Sequence, residues 1–144
     1  MIMSKSIEIF IDGASRGNPG PSGIGIVFCD GSNNVVKKLF KYVGNATNNI
    51  AEYSALIYGL QEALIDRYED LVIKSDSELL TRQLRGEYRV KNENLRTYYE
   101  QFLHLSRGFN KIEVISIARE NNSLADKLAN KAIDSRIDSS LKIE

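Results

Sequence analysis

The sequence predicts an α/β fold on a mixed sheet: an antiparallel meander first, then parallel strands reached through helical crossovers. Three observations predict it. Hydrophobic spacing is two in the opening strands and three to four in the later helices. The segments run strand, strand, strand, helix, strand, helix, helix, strand, helix, and strands separated by helices pair in parallel. The chain of 144 residues has neither repeats nor a Pro/Gly/Ser linker, so one domain is expected over 1–144. Its core spans about 7–135 and a polar tail occupies 136–144.

Residues 6–12 alternate, with Ile7, Ile9 and Ile11 on one face and Glu8, Phe10 and Asp12 on the other, the period of a strand. Residues 13–23 hold four glycines and both prolines of the chain and read as a loop or tight turn. Strands follow over 25–30 and 35–43, parted by the turn signal Asp30-Gly31. From Asn48 to near Tyr68, Leu56, Gly59, Leu60, Ala63 and Leu64 recur at helical spacing. Residues 71–75 form a short strand and 76–84 a helix with Ser75 or Asp76 as its cap. A helix over 94–107 carries the stripe Leu95, Tyr98, Tyr99, Phe102 and Leu103. A strand over 112–117 and a helix over 123–135 complete the order, and the tail is expected to fray.

Nineteen basic and nineteen acidic residues leave zero net charge, which excludes a histone-like mode of nucleic-acid binding but not a local basic patch. The longest apolar run is too short for a membrane span. Residues 1–10 lack a basic stretch followed by an apolar one, so no secretory signal is expected. The single cysteine, Cys29, forms neither an internal disulfide nor a zinc knuckle and is expected to pack as a small hydrophobe. A reduced, cytoplasmic monomer without membrane attachment is expected.

Four acids sit where solvated surface acids are unusual. Asp12 ends the first strand and Asp76 ends the fourth; as parallel neighbours these strands would lie about 5 Å apart and open both carboxylates at one sheet edge. Glu52 lies on the core-facing stripe of its helix, where a charge must be paired, protonated or metal-bound. Asp126 opens the last helix. Taken singly, each has an ordinary explanation: Asp76 as a cap, Glu52 and Asp126 as acids favoured by a helix dipole. Convergent acids repel unless a cation is present. Oxygen donors without His or Cys suit Mg²⁺ or Mn²⁺ rather than zinc. Two such ions in a carboxylate site form a phosphodiester-cleaving arrangement.

Four motifs occur in order: Ile11-Asp12-Gly13 with Gly17-Asn18-Pro19-Gly20-Pro21; Thr47-Asn48-Asn49-Ile50-Ala51-Glu52; Ser75-Asp76-Ser77; and Asn122-Ser123-Leu124-Ala125-Asp126-Lys127-Leu128-Ala129. Together they resemble the type 1 ribonuclease H family, which cuts RNA in RNA/DNA hybrids. The resemblance implies a ribonuclease H-like fold, a five-stranded mixed sheet with helices on both faces. It implies that Asp12, Glu52, Asp76 and Asp126 are catalytic and hold two Mg²⁺ ions across the scissile phosphate, leaving 5′-phosphate and 3′-hydroxyl ends. It further implies that Asn18, Thr47, Asn48 and Asn49 contact the nucleic-acid backbone. The loop after Asp12, with Gly13 and Ser15, would read 2′-hydroxyls through main-chain groups, the contact that tells RNA from DNA.

The sequence departs from the family pattern in three places. Arg119 stands in the loop where many members carry a histidine; arginine cannot act as a base but can hold a phosphate bidentately. Arg119 and Asn122 are therefore read as accessory residues, and the only histidine, His104, as a surface group. Glu78 replaces an amide and cannot donate when ionised. Residues 85–93 leave no room for an inserted basic helix. Residues 82–96 instead carry five cations against two acids. Arg85, Tyr88, Arg89 and Lys91 are expected to grip the hybrid, with Lys37, Lys38 and Lys41 as the fallback surface. Double-stranded RNA is a second substrate to consider. A DNA strand-transfer enzyme, a non-catalytic binding module and a DEDD-type exonuclease are alternatives. The short chain, the complete acid set and the absence of Tyr or His over 117–129 argue against them in turn.

Overall fold

A computed structural model describes residues 5–136 and 142–144. The expected meander is β1 (Ser6–Ser15), β2 (Gly20–Cys29) and β3 (Val35–Ala46). Helix α1 (Asn48–Ile65), strand β4 (Asp70–Ser75), helices α2 (Glu78–Leu84) and α3 (Glu93–Ser106), strand β5 (Lys111–Ser116) and helix α4 (Ser123–Ser135) follow. The five main strands lie in the order β5-β4-β1-β2-β3, with a two-residue sixth strand added at the β3 edge; β1 is antiparallel to β2 and parallel to β4, and β4 is parallel to β5. Helices α1 and α3 pack on one face and α4 on the other. This is the five-stranded mixed sheet, helix-covered on both faces, that the motifs imply.

The alternation of β1 assigns its faces. Ile7, Ile9 and Ile11 join Ile24, Ile26, Phe28, Leu56 and Leu60 in the main core under α1. Phe10 packs on the other face with Val27, Cys29, Ala125 and Leu128. A fully buried aliphatic or aromatic side chain contributes about 1.5–3 kcal/mol, so the larger cluster dominates stability. Tyr53, buried between α1 and α2, keeps its polar end satisfied by donating to Gln83 Oε1 at 2.6 Å. Cys29 is buried, as expected for a packing residue.

Several boundaries differ from expectation for local reasons. The Gly/Pro-rich stretch is mostly strand: β1 and β2 run into it and leave residues 16–19 as the connection, with the Arg16 N–H bonded to Pro21 O at 2.8 Å. Helix α1 stops at Ile65 rather than near Tyr68, because Arg67 turns to a φ of 63°. Helix α2 begins two residues later than expected. Ser77, not Ser75 or Asp76, is its cap, accepting from the Leu80 N–H at 3.2 Å. On α3 the buried stripe omits Leu103, which is 44% exposed. A short sixth strand, β6 (Lys142–Ile143), pairs with Leu39 and Phe40, so this part of the tail is not frayed. The following Glu144 pairs with Lys38 and Lys131, both at 2.9 Å. Residues 137–141 of the expected tail and residues 1–4 lie outside the described residues.

Candidate active site

The parallel pairing of β1 with β4 puts Ile11 opposite Ser75, so Asp12 and Asp76, the next residues, lie side by side. Asp76 has just left β4, but Asp12 does not end its strand as expected: β1 runs on to Ser15 and Asp12 stays paired with Gly25 of β2. Glu52 arrives from α1, and Gly13 makes that approach feasible. A Cβ on Gly13 would collide with the backbone of Ala51 and Glu52. On the opposite face Gly25 does the same for α4: a Cβ there would strike the Ala125 carbonyl. Two close helix–sheet approaches thus bring Glu52 and Asp126 to Asp12. Because the cap of α2 is Ser77, the Asp76 carboxyl is not consumed by the helix terminus.

One carboxylate oxygen from each of Asp12, Glu52 and Asp76 lies within 4.8 Å of the other two. Asp126 stands outside that tight group, yet its carboxyl meets that of Asp12. All four line one polar cleft of about 490 Å³ with Gly13, Ser15, Asn48, Asn49 and Arg119. Burial, then the charge of Asp76, pushes the Asp12 carboxyl up to about 8. Burial and the charge of Asp12 raise Glu52 well above the usual carboxylate range. Asp76 is raised by burial, against the opposing pull of an Asn122 hydrogen bond and the Arg119 charge. The Glu52 Oε2 atom is sealed from solvent and has no hydrogen-bond partner. Crowded, desolvated carboxylates with an unsatisfied buried oxygen are poorly stable as anions alone and well suited to a hard divalent cation. The donor set therefore fits such an ion.

The other expected residues divide into groups. Asn48, Asn49, Ser15 and Gly13 face the cleft. Thr47 caps α1, accepting from the Ile50 N–H at 3.2 Å, and Asn18 Oδ1 accepts from the Asn48 N–H at 3.1 Å; both act at the rim and neither lines the cleft. Asn122 is buried beneath the acids, donating from Nδ2 to Ile11 O at 2.9 Å. Arg119 enters from a 3-10 turn, Arg119–Asn122, and faces Asp76.

The basic patch does not join the acids. Tyr88 and Arg89 line a separate groove of about 520 Å³ with Arg96 and Tyr99. Arg85 donates from Nε to Val114 O at 3.0 Å and pairs with Glu87 at 3.7 Å, while Lys91 lines neither groove. Glu78 pairs with Arg82 at 2.9 Å, and His104 is exposed. On β3, Lys37 is committed to Glu62 and Asp66 at 2.9 and 2.6 Å, so the fallback surface is largely neutralised there. Ala14, Ser77 and Asn130 also line the acid cleft, and sequence reasoning misses them. For Asn130 a readable sign exists, its i+4 spacing from Asp126 on one helix. Among the described residues no helix is long and apolar enough to cross a membrane.

Comparison with known proteins agrees with this geometry. The family described as "Reverse transcriptase-like" matches residues 10–132. The ribonuclease HI of Halobacterium salinarum is 38% identical over 128 residues, 89% of this chain and 64% of that protein. The crystal structure of RNase H1 from that organism superposes with a TM-score of 0.88, covering 90% of this chain and 98% of that one at 37% identity. LC11-RNase H1, solved in complex with an RNA/DNA hybrid, gives 0.87 at 37% identity, covering 91% and 99%. The bifunctional protein Rv2228c of Mycobacterium tuberculosis is 38% identical over 89% of this chain. The chain spans 64% of the archaeal relative's length and 35% of the mycobacterial one's. Likeness at this level, spread over nearly the whole sheet-and-helix frame instead of a single motif, makes the chain a member of the ribonuclease H family.

Proposed function

We propose that this protein is a divalent-metal-dependent endonuclease that hydrolyses the RNA strand of RNA/DNA hybrids, leaving 5′-phosphate and 3′-hydroxyl ends. The observation that carries this reading is the triad Asp12, Glu52 and Asp76 within 4.8 Å, in an open polar cleft beside Asp126. Asp12, Glu52, Asp76 and Asp126 would hold two Mg²⁺ ions, with Mn²⁺ as the alternative the same oxygens accept. When bound, such ions supply charge neutralisation at the phosphate and activation of the attacking water.

The chain's own residues supply the rest. Asn48 and Asn49, at the first turn of α1, offer amide donors to phosphate oxygens where the helix dipole also favours an anion. Gly13 and Ser15 line the cleft wall, where their main-chain groups would read a ribose 2′-hydroxyl. Asn18 braces this loop against α1 through the Asn48 N–H, and Thr47 holds the start of the helix. Arg119, facing Asp76, can hold a phosphate without exchanging protons near neutrality. Asn122 ties the β1 backbone at Ile11 to Asp76. Arg85, Tyr88, Arg89 and Lys91 would grip the duplex away from the scissile bond; of these, Tyr88 and Arg89 line the separate groove.

The proposed setting is a cytoplasmic monomer. The relative crystallised with an RNA/DNA hybrid supports that duplex as substrate; double-stranded RNA also presents 2′-hydroxyls and is the natural comparison. The test is cleavage of matched short RNA/DNA, RNA/RNA and DNA/DNA duplexes, each with and without Mg²⁺. Cutting of the RNA strand of the hybrid, abolished by chelation, is expected. Cleavage that persists after chelation, or that falls on DNA alone, would refute the reading.

A further inference from the structure

Asp126 differs from the other three acids. It stands outside the tight triad, and its close neighbour is another carboxyl, Asp12, with which it shares a side-chain hydrogen bond; a cation that displaces the shared proton leaves two carboxylates side by side, which repel. Something must hold Asp126 toward the cleft. An amide donor that does not depend on that proton comes from Asn130, one turn along α4. Its Nδ2 donates to the Asp126 carbonyl at 3.0 Å and reaches Oδ1 at 3.4 Å. Asn130 is half-buried and lines the same cleft.

The amide orientation of Asn130 is itself constrained. Its Oδ1 accepts from Arg16 Nη2 at 3.4 Å, and the same nitrogen donates to the Asn130 carbonyl at 3.4 Å. Flipping the amide would aim Oδ1 at two Asp126 oxygens and its NH₂ at a guanidinium, both unfavourable. Arg16 is fixed in turn by an ion pair to Asp134 at 2.7 Å, one turn further along α4. Arg16 belongs to the short connection between β1 and β2, whose Asn18 is bonded to the start of α1. One loop is thus fastened to both helices that deliver acids to the cleft.

We propose that Arg16 and Asn130 form a positioning relay. Asn130 orients the Asp126 carboxylate for metal binding, and Arg16 orients Asn130, coupling the β1–β2 connection to that acid. The metal site is the one proposed above, but the relay can be tested without cleavage. Partners of metal-binding carboxylates typically matter by 10–100-fold in affinity, so calorimetry with Mn²⁺ alone should show binding to Asn130→Ala weakened by about tenfold. The Mg²⁺ midpoint of hybrid cleavage should rise in parallel, with KM for the hybrid at saturating Mg²⁺ little changed. The urea midpoint in EDTA should not fall, since alanine suits a helix interior better than asparagine.

Arg16→Ala separates the relay from simple charge. Removing a nearby cation should tighten Mn²⁺ binding through space, whereas the relay predicts weaker binding. Arg16→Lys keeps a charge for Asp134 but loses the planar fork, and should weaken Mn²⁺ binding as Arg16→Ala does. Neither substitution should add to Asn130→Ala in a double-mutant cycle. Unchanged Mn²⁺ binding in Asn130→Ala, full recovery by Arg16→Lys, or additive effects of Arg16→Ala and Asn130→Ala would overturn the relay. If the parent protein fails to cut hybrids but these Mn²⁺ differences appear, the proposed function falls and the relay stands. A parent that binds no Mn²⁺ overturns both.

Discussion

Asp12→Asn should stabilise the metal-free protein, and increasingly so as pH rises. In the folded protein the Asp12 carboxyl titrates at about 8 against an ordinary value of 3.8, chiefly because it is buried and then because Asp76 repels it. A folded value above the unfolded one means the contribution is intact below about 3.8 and is lost as pH rises through about 8. At about 1.4 kcal/mol per pH unit, the full gap is worth about 6 kcal/mol. Of that, roughly 4 kcal/mol falls between about pH 5 and pH 8.5 if Asp12 titrates alone. Glu52 and Asp76 share the proton and spread the loss, so about 2–4 kcal/mol is expected. Asparagine keeps the shape and carries no charge. Urea unfolding in EDTA should therefore show the variant gaining on the parent by about 1–2 M in midpoint between those pH values, given slopes of about 1–3 kcal/mol per M. Excess Mg²⁺ should narrow or reverse the difference, because a ligand at a hundredfold over its Kd stabilises the parent by about 2.7 kcal/mol. A variant-minus-parent difference that stays flat with pH in EDTA would refute the electrostatic account of this cleft.

Four further outcomes are expected. Asp12→Asn should abolish hybrid cleavage at ordinary Mg²⁺ while gel-shift binding of the hybrid is kept or improved, since lost metal affinity is accompanied by relief of repulsion against phosphate. Arg119→Ala should lower kcat/KM without deleting a limb of the pH–rate profile, because no group titrating near neutrality is removed; the acid limb moves up, since Asp76 loses the opposing Arg119 charge, and a lost limb would contradict the assignment of Arg119 as a phosphate-holding residue. Replacing Arg85, Arg89 and Lys91 together with Ala should raise KM at nearly constant kcat. The log–log salt slope of binding should flatten by up to about 0.9 for each phosphate no longer neutralised, and an unmoved slope would mean the patch is only a solvated surface. Gly13→Ala should destabilise the fold by about 1–3 kcal/mol in chemical unfolding, as the added methyl meets the backbone of α1.

What the sequence reveals about this site, and what it hides, divides along a physical line. Alternation over Ile7, Ile9 and Ile11 assigns a face because a strand's side chains reverse at every residue, and the same rule puts Asp12 on the α4 side; its place at a strand end is what the sequence misjudges, since β1 runs on to Ser15. The four acids stand out because charge at a strand end or on a buried helix stripe conflicts with burial, and that conflict is local enough to read without coordinates. The basic patch shows the limit of the same reasoning. A run of cations over 82–96 is visible in composition, but composition cannot say that Arg85 spends its Nε on Val114 O or that Arg82 is held by Glu78 and Glu87. The cap of α2 is a finer case: Ser75, Asp76 and Ser77 are all competent caps, and only backbone geometry selects Ser77. That selection matters functionally, since a carboxylate bonded to the α2 terminus would be less available to a cation. Asn130 is hidden for a different reason. Its spacing from Asp126 is readable, but its meaning depends on Arg16, 114 positions away in the chain. Local spacing can propose which side chains share a helix face; it cannot say which of them is locked from the other side. In this fold the acids are legible because each is out of place by itself, whereas the groups that orient them become meaningful only in pairs.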